Sequence, residues 1–312
     1  MSELLILTEK PLSMEQAEGN IQVIPVTRRT LARYAGDDRV VAVAGSRAMA
    51  KDCAAMELPG LRLIQLTSAG YEGVPLEGFA ARNVAVANAG GVYSVPIAET
   101  VIFGILQMAK RLRTNPNDRR FRLRRGYSQI TELMDKQVLI LGAGKIGTAV
   151  AERLCAFGMT VDGYDPYCER KWTYRWLFRT RTECMTQLHH YDYVISTLPD
   201  TPETRGVVDA ALLDCMKRKA VVVNVGRMAA IDTKALYKAL RSRQIGGAVL
   251  DMFEKIPNPL TNPFRRLKNV VVLPGVAAIS REVDDRLAAL MTENVLAAAR
   301  GQEISHVVNG VK

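Results

Sequence analysis

Three glycines, Gly142, Gly144 and Gly147, stand in the run Gly142-Ala143-Gly144-Lys145-Ile146-Gly147. Glycines at that spacing make a tight turn, let a backbone approach an anion closely, and let a helix pack close to a strand. If a helix starts there, its first N–H groups have no internal partner and point at whatever negative charge lies in the turn. Asp165 follows Gly147 by 18 residues, at the end of a second strand-like run. A carboxylate at that place accepts hydrogen bonds from ribose hydroxyls and repels a 2′-phosphate. Together these residues predict a dinucleotide site for NAD, with NAD favoured over NADP. Gly142, Gly144, Lys145, Ile146, Gly147 and Asp165 form its cofactor-binding set. An ordinary strand-to-helix turn would also end in glycines, but it would not bring the ordered series of strand, helix, second strand and acid.

Specific elements must hold these groups. The apolar run Gln137 to Leu141 reads as a strand entering the turn, and Ile146, Val150 and Leu154 give helical spacing up to Gly158. Thr160 to Tyr164 then reads as the second strand. Further strands are expected at Tyr193–Ser196, Val221–Val225, Ala248–Leu250 and Val270–Leu273. Continuous Val/Ile/Leu runs of this kind suit parallel strands buried on both faces, which gives a doubly wound α/β domain. The first hundred residues form another β/α series, with strands at Leu4–Leu7, Val40–Val43, Leu61–Leu66 and Val84–Val86. A long helix is expected from near Pro96 to about Arg113, and a last helix over Glu282 to Ala299 that returns to the first domain.

The chain has 312 residues, enough for two domains, with 48% hydrophobic residues. No apolar run approaches the roughly 18 residues of a membrane helix. The acids around Leu4–Leu7 argue for a first strand, not a secretion signal. The five cysteines show no C-x-x-C and no metal-ligand spacing, so they read as free thiols of a cytoplasmic protein, and no metal is expected. The net charge is +10, concentrated between Lys110 and Arg125 and again from Arg170 to Arg181. Such clusters bind nucleic acid or an acidic ligand, or form a solvated face. With no helix-turn-helix or zinc motif, nucleic acid is the weaker reading.

Five further segments, taken in order, resemble the D-isomer-specific 2-hydroxyacid dehydrogenase family. Leu66-Thr67-Ser68-Ala69-Gly70 resembles the loop that presents backbone amides to a substrate carboxylate. Asn88-Ala89-Gly90-Gly91 followed by Ala98-Glu99 resembles the entry to an interdomain helix. Leu198 to Gly206 is similar to the loop beside the cofactor. Asn224-Val225-Gly226-Arg227 is similar to the strand end carrying a substrate-binding arginine, and Gly247 to Glu254 to the strand whose aspartate lies near the nicotinamide. The resemblance implies a Rossmann cofactor domain, residues 101–283, inserted into a flavodoxin-like substrate domain, residues 1–100 and 284–312, with the active site in the cleft between them. It also implies a homodimer and a small carboxylate substrate. Ala69, Gly70 and Arg227 are the expected substrate-binding residues, with Arg227 catalytic. Pro199, Thr204, Val225 and Asp251 join the cofactor set.

Reducing a 2-oxo acid also needs a general acid, and often a carboxylate that orients it. The family places histidine after proline near its last strand, where this chain has Leu273-Pro274-Gly275, and glutamate before a proline, where it has Ile256-Pro257. Both the acid and its orienter are missing. The three histidines, His189, His190 and His306, lie elsewhere. A water, Lys255, Tyr71 or Tyr93 could replace the acid, and the residues do not select among them. The vacated positions leave a larger, less polar pocket, suited to a bulkier substrate or an iminium. Met228 stands where the family has glycine and is expected to narrow the approach to Arg227. Two readings follow. One is an NAD-dependent oxidoreductase acting on a 2-oxo or 2-hydroxy acid with altered acid/base groups. The other is an NAD(H)-binding sensor or scaffold without turnover.

Overall fold

The computed structural model describes residues 3–13, 19–111, 130–251 and 262–311. The basic segment from Arg113 to Arg125 and the positions Glu254, Lys255, Ile256 and Pro257 lie outside the described residues. The chain divides into two compact units, Met1–Tyr93 with Ser280–Lys312, and Ser94–Ile279.

In the first unit, five parallel strands are β1 (Leu4–Thr8), β2 (Ile21–Pro25), β3 (Val40–Gly45), β4 (Leu63–Leu66) and β5 (Ala85–Ala87). They pair in the order β2-β1-β3-β4-β5, the flavodoxin-like order. Strand β2 was not expected from the sequence. It is an edge strand, only half-buried, and its last residue is Pro25, which an edge tolerates. Helices α1 (Arg28–Leu31), α2 (Arg47–Ala54) and α3 (Leu76–Ala81) connect the strands. Ser46 caps α2 by accepting from the Met49 amide. The C-terminal helix, Arg281–Arg300, belongs to this unit as a whole. Its buried stripe of Val283, Leu287, Met291, Val295 and Ala298 packs on Ile6, Ala42, Leu63 and Ala85. After Gly301 the chain runs back along β5: Val308 N–H donates to Val86 O at 2.8 Å, and Asn309 bonds Val86 N–H and Val84 O.

In the second unit, α4 (Ser94–Lys110) precedes seven strands. These are β6 (Gln137–Leu141), β7 (Thr160–Tyr164), β8 (Leu177–Phe178), β9 (Tyr193–Ser196), β10 (Val221–Asn224), β11 (Gly247–Leu250) and β12 (Val270–Val272). All are parallel, in the order β12-β11-β10-β9-β6-β7-β8. Counted from β6, the order runs outward in both directions from a reversal between β6 and β9, the doubly wound pattern with its switch point there. Helices α5 (Lys145–Ala156), α6 (Arg181–Gln187), α7 (Ala210–Cys215) and α8 (Thr233–Arg241) cover the sheet. Thr180 and Glu183 close a capping box at α6, and Asp209 and Asp232 cap α7 and α8. The boundaries fall at 93/94 and 279/280, not at 100/101 and 283/284, because each long helix stays whole within one unit.

Strand β8 was also not foreseen, being two residues long. It is held by a buried carboxylate on β7. Asp162 accepts from Arg175 Nε at 3.1 Å and Nη2 at 2.5 Å, from the Trp176 amide at 3.0 Å and from the Tyr191 hydroxyl at 2.8 Å. A buried charge with this many donors is compensated, and it fixes the chain that leads into β8.

Candidate functional site

In the second unit, the carboxyl end of β6 carries the glycine turn. Gly142 has φ +96°, and a Cβ on Gly147 would stand 2.0 Å from the Gly142 carbonyl oxygen, so both positions need glycine for backbone reasons. Gly144 differs, because a Cβ there would meet nothing within 4 Å. The fold therefore does not require a small residue at Gly144, and the open space beside it is where a close-lying ligand would need one. Gly144 is also the N-cap of α5 and offers no side-chain acceptor to the first turn of that helix. A helix N-terminus without a side-chain cap, open space and a helix dipole together fit a pyrophosphate.

Asp165 meets this turn directly. Its Oδ2 accepts from the Ala143 amide at 2.9 Å, and its Oδ1 from the Tyr167 and Cys168 amides at 2.9 and 3.0 Å. Burial alone would raise its pKa. The amides of Tyr167, Cys168 and Ala143 and the Cys168 side chain outweigh burial and hold the carboxyl below its ordinary range. The group is thus an anion fixed at the rim of the glycine turn. Lys145 opens α5, and Lys171 donates to Thr148 Oγ1 at 2.9 Å on the same helix. Burial, and then the charge of Lys171, push the Lys145 pKa down, so a nearby anion would relieve both costs. Ile146 lies in the same first turn of α5.

The strand ends on one side of the switch point belong to β9, β10 and β11. Thr197 Oγ1 donates to Gly142 O at 2.8 Å, which ties the end of β9 to the glycine turn. Ser196 Oγ and Asn224 Oδ1 are buried without a hydrogen-bond partner, at the carboxyl ends of β9 and β10. Such orphaned atoms are what a polar ligand at this edge would satisfy. Sequence reasoning passed over both, because Ser and Asn in apolar runs carry no signal until burial is known.

The loop after β9 is stitched to itself and to the end of β10. Thr204 Oγ1 donates to Pro199 O at 2.6 Å and accepts from the Thr201 amide, so its hydroxyl serves the loop. Val225 is buried, and its amide donates to Ser196 O at 3.1 Å. The Arg227 amide donates to Leu198 O at 3.0 Å, which sets the half-buried arginine beside this loop. Met228 does not narrow the approach to Arg227 as expected. It is buried in the core of the unit, and its Sδ accepts from Asn224 Nδ2 at 3.2 Å.

Asp251 ends β11 and is buried. Its carboxylate accepts from the amides of Gly275 and Val276 at 3.1 Å and of Ala277 at 3.2 Å. Three successive amides can converge on one carboxylate because Gly275 has φ +75°. A Cβ at Gly275 would meet nothing within 4 Å, so a side chain fits in space, but a residue other than glycine would be strained in its backbone. The position expected to hold the acid thus serves as a backbone turn that binds Asp251.

In the first unit, the carboxyl end of β4 leads into Thr67-Ser68-Ala69-Gly70. The Tyr93 hydroxyl donates to Thr67 O, Asn88 Nδ2 to Ala69 O at 2.7 Å, and Ser68 Oγ to Gly70 O at 2.6 Å. The loop's carbonyls are engaged, while the amides of Ala69 and Gly70 donate to no backbone acceptor among the described residues. Unspent neighbouring amides suit an anion. Tyr93 is a poor substitute acid: burial, and then the charge of Asp284, raise its pKa, and its proton is committed to Thr67. Among the described residues no group of three His, Cys, Asp or Glu side chains could hold a metal ion, and no helix is long and apolar enough to cross a membrane.

A family model described as D-isomer specific 2-hydroxyacid dehydrogenase, NAD binding domain, matches residues 100–277. A glyoxylate reductase of Aeropyrum pernix is 34% identical over 261 residues, covering 81% of this chain and 78% of that protein. A D-3-phosphoglycerate dehydrogenase of Methanocaldococcus jannaschii is 28% identical over 305 residues, covering 97% of this chain and 58% of that protein, so the chain spans little more than half of that relative's length. Among solved structures, an NADPH-dependent glyoxylate/hydroxypyruvate reductase of Sinorhizobium meliloti in complex with NADP and malonate aligns with a TM-score of 0.74 at 25% identity, over 99% of this chain and 98% of that one. A glyoxylate reductase from Paecilomyes thermophila aligns with a TM-score of 0.81 at 21% identity, covering 100% of both chains, a likeness of fold.

Proposed function

Because this chain belongs to the D-isomer specific 2-hydroxyacid dehydrogenase family, we propose that it is a nicotinamide-dependent oxidoreductase acting on a small 2-oxo or 2-hydroxy carboxylate. The observation that carries the reading is the meeting of the glycine turn with Asp165, where open space beside Gly144 adjoins a fixed anion. Gly142, Gly144, Lys145, Ile146 and Gly147 hold the pyrophosphate, and Asp165 the adenosine ribose. Pro199, Thr204, Val225 and Asp251 line the rest of the cofactor's course, the last two with Ser196 and Asn224 at the strand ends. Asp165 favours NAD over NADP, since a 2′-phosphate would lie against its carboxylate.

The bound cofactor supplies or accepts the hydride. The chain's own residues do the rest. Arg227 holds the substrate carboxylate with its planar fork and polarises the adjacent carbonyl. In the first unit, the Ala69 and Gly70 amides are donors suited to a carboxylate. Solvent water provides the proton for the developing alkoxide, because Gly275 has no side chain and leaves open space. A positioned acid is worth roughly 10²–10⁴ in rate, so turnover is slow. The family resemblance further implies a homodimer, which light scattering would test, and the free cysteines fit a reducing cytoplasm.

The test is NADH oxidation, followed by absorbance, across 2-oxo acids and cyclic imines. Turnover with a carboxylate substrate that Arg227→Ala lowers by at least about 10²-fold, with NADH binding intact, supports the assignment. Equal turnover in that variant removes it. Gly275 favours a second reading, an NAD(H)-binding sensor without turnover. NADH binding with no oxidation of any substrate would establish it.

A further inference from the structure

We infer that Lys171, in the connection between β7 and β8, is a cofactor-binding residue whose ammonium pairs with the pyrophosphate of the dinucleotide. The inference rests on the reading of the glycine turn as a dinucleotide site given above.

Lys171 comes from a loop that the fold holds firmly. It opens a turn closed by the Tyr174 amide, which donates to Lys171 O at 3.1 Å. Thr173 and Tyr174 are buried, and the Arg175 amide donates to Val161 O on β7 at 2.9 Å. Arg170 Nη2 closes the loop further by donating to Arg175 O at 2.6 Å. From this base the exposed Lys171 side chain reaches α5, where its Nζ donates to Thr148 Oγ1 at 2.9 Å. The Thr148 hydroxyl in turn donates to Gly144 O at 2.8 Å and meets Ala143 O at 3.2 Å. Two hydrogen bonds in series therefore tie the ammonium to Gly144, the residue with open space beside it.

A cation is out of place there unless an anion joins it. The N-terminus of a helix carries the positive end of its dipole, which disfavours further positive charge. The first turn of α5 nonetheless holds no acidic residue, opens on Lys145, and receives Lys171 from outside. Among the described residues, the Lys171 ammonium forms no ion pair with a carboxylate. Lys145 shows the cost, since burial and then the charge of Lys171 push its pKa down. A pyrophosphate at this helix end would relieve the repulsion between the ammoniums and that between each of them and the dipole. Lysine suits the task, because its compact charge rides on a flexible stem that can leave Thr148 for a phosphate oxygen. Spacing along the sequence gave no sign of this role, since Lys171 lies 27 positions after Gly144 in a basic stretch that also reads as a solvated face.

The experiment measures dissociation constants of NADH, NADPH and ADP-ribose for the full chain by calorimetry, in the wild type, Lys171→Met and Lys171→Arg. Methionine keeps the apolar stem and removes the charge. Lys171→Met should raise all three constants by about tenfold, because all three ligands carry the pyrophosphate. The difference should shrink as salt rises from about 0.05 to 0.5 M. Lys171→Arg should keep most of the wild-type affinity. The urea midpoint should stay where it is in both variants, because the side chain is exposed. Unchanged NADH affinity in Lys171→Met would overturn the proposal. So would a loss confined to NADPH, which would put the ammonium at a 2′-phosphate. A loss of affinity that comes with a lowered urea midpoint would also overturn it, making Lys171 a prop of the loop. Failure of the wild type to bind any of the three ligands would instead overturn the dinucleotide reading, and this proposal with it.

Discussion

Asp165 has two tasks that a sequence motif does not distinguish. Its carboxylate stands where ribose hydroxyls are expected, and it also accepts three backbone amides that shape the turn and the loop after β7. Replacing it therefore affects affinity and stability together. Asp165→Asn should raise the dissociation constant of NADH by about tenfold or more, since charge-assisted hydrogen bonds are the stronger kind, and should narrow the preference for NADH over NADPH. Fluorescence titration with both cofactors checks this, and unchanged affinity would remove the ribose assignment. The pH dependence has a definite sign. Because the folded state lowers this pKa below 3.8, its stabilisation is present above the ordinary carboxylate range and is lost as pH falls through the folded value. The stability advantage of the wild type over Asp165→Asn should therefore shrink between about pH 5 and pH 3, as read by urea unfolding at each pH.

At the scale of elements, the buried side chains that join distant segments matter most. Asp162 on β7 gathers donors from residues 13, 14 and 29 positions further along the chain, and through them sets the approach to β8. Its role is structural, so its loss should appear in stability and not in cofactor affinity. Asp162→Ala leaves the Tyr191 hydroxyl and the Trp176 amide without their acceptor and should cost about 3 kcal/mol. The urea midpoint measures this, and a shift below about 0.5 kcal/mol would mean that water replaces the carboxylate at no cost. The same logic explains which elements were legible beforehand. Strands β6, β9, β10 and β11 show as largely apolar runs because both their faces are covered. Strands β2 and β8 do not, one being a half-buried edge and the other two residues long.

The whole molecule is organised by two returns of the chain. The C-terminal helix goes back to the first unit, and the segment after Gly301 then lies along β5, so Asn309 bonds a strand more than 220 residues earlier. Its side chain satisfies Val86 N–H and Val84 O, two backbone groups of buried residues that a sheet edge would otherwise leave unpaired. Asn309→Ala should destabilise the first unit by about 2 kcal/mol while leaving NADH affinity unchanged, because the cofactor residues belong to the other unit. Denaturation followed together with NADH binding tests both halves of that statement. Loss of NADH binding at full stability would contradict the division of labour.

The sequence by itself determined the glycine turn at Gly142, Gly144 and Gly147 and the acid that meets it, Asp165, and with them the doubly wound sheet. Those residues act through backbone geometry and local order, which neighbouring residues encode. It also showed that Gly275 carries no acid, since a missing side chain is evident from the residue alone. Only the tertiary structure decided what Gly275 does in the fold: it turns at positive φ so that three amides converge on Asp251, 24 to 26 residues away. It likewise decided that Met228 turns into the core, that Ser196 and Asn224 bury unpaired atoms at the strand ends, and that Asp200 pairs with Arg205. Each of these depends on which groups are brought together across long stretches of chain and shielded from water, and hydrophobic spacing along one segment carries no record of that.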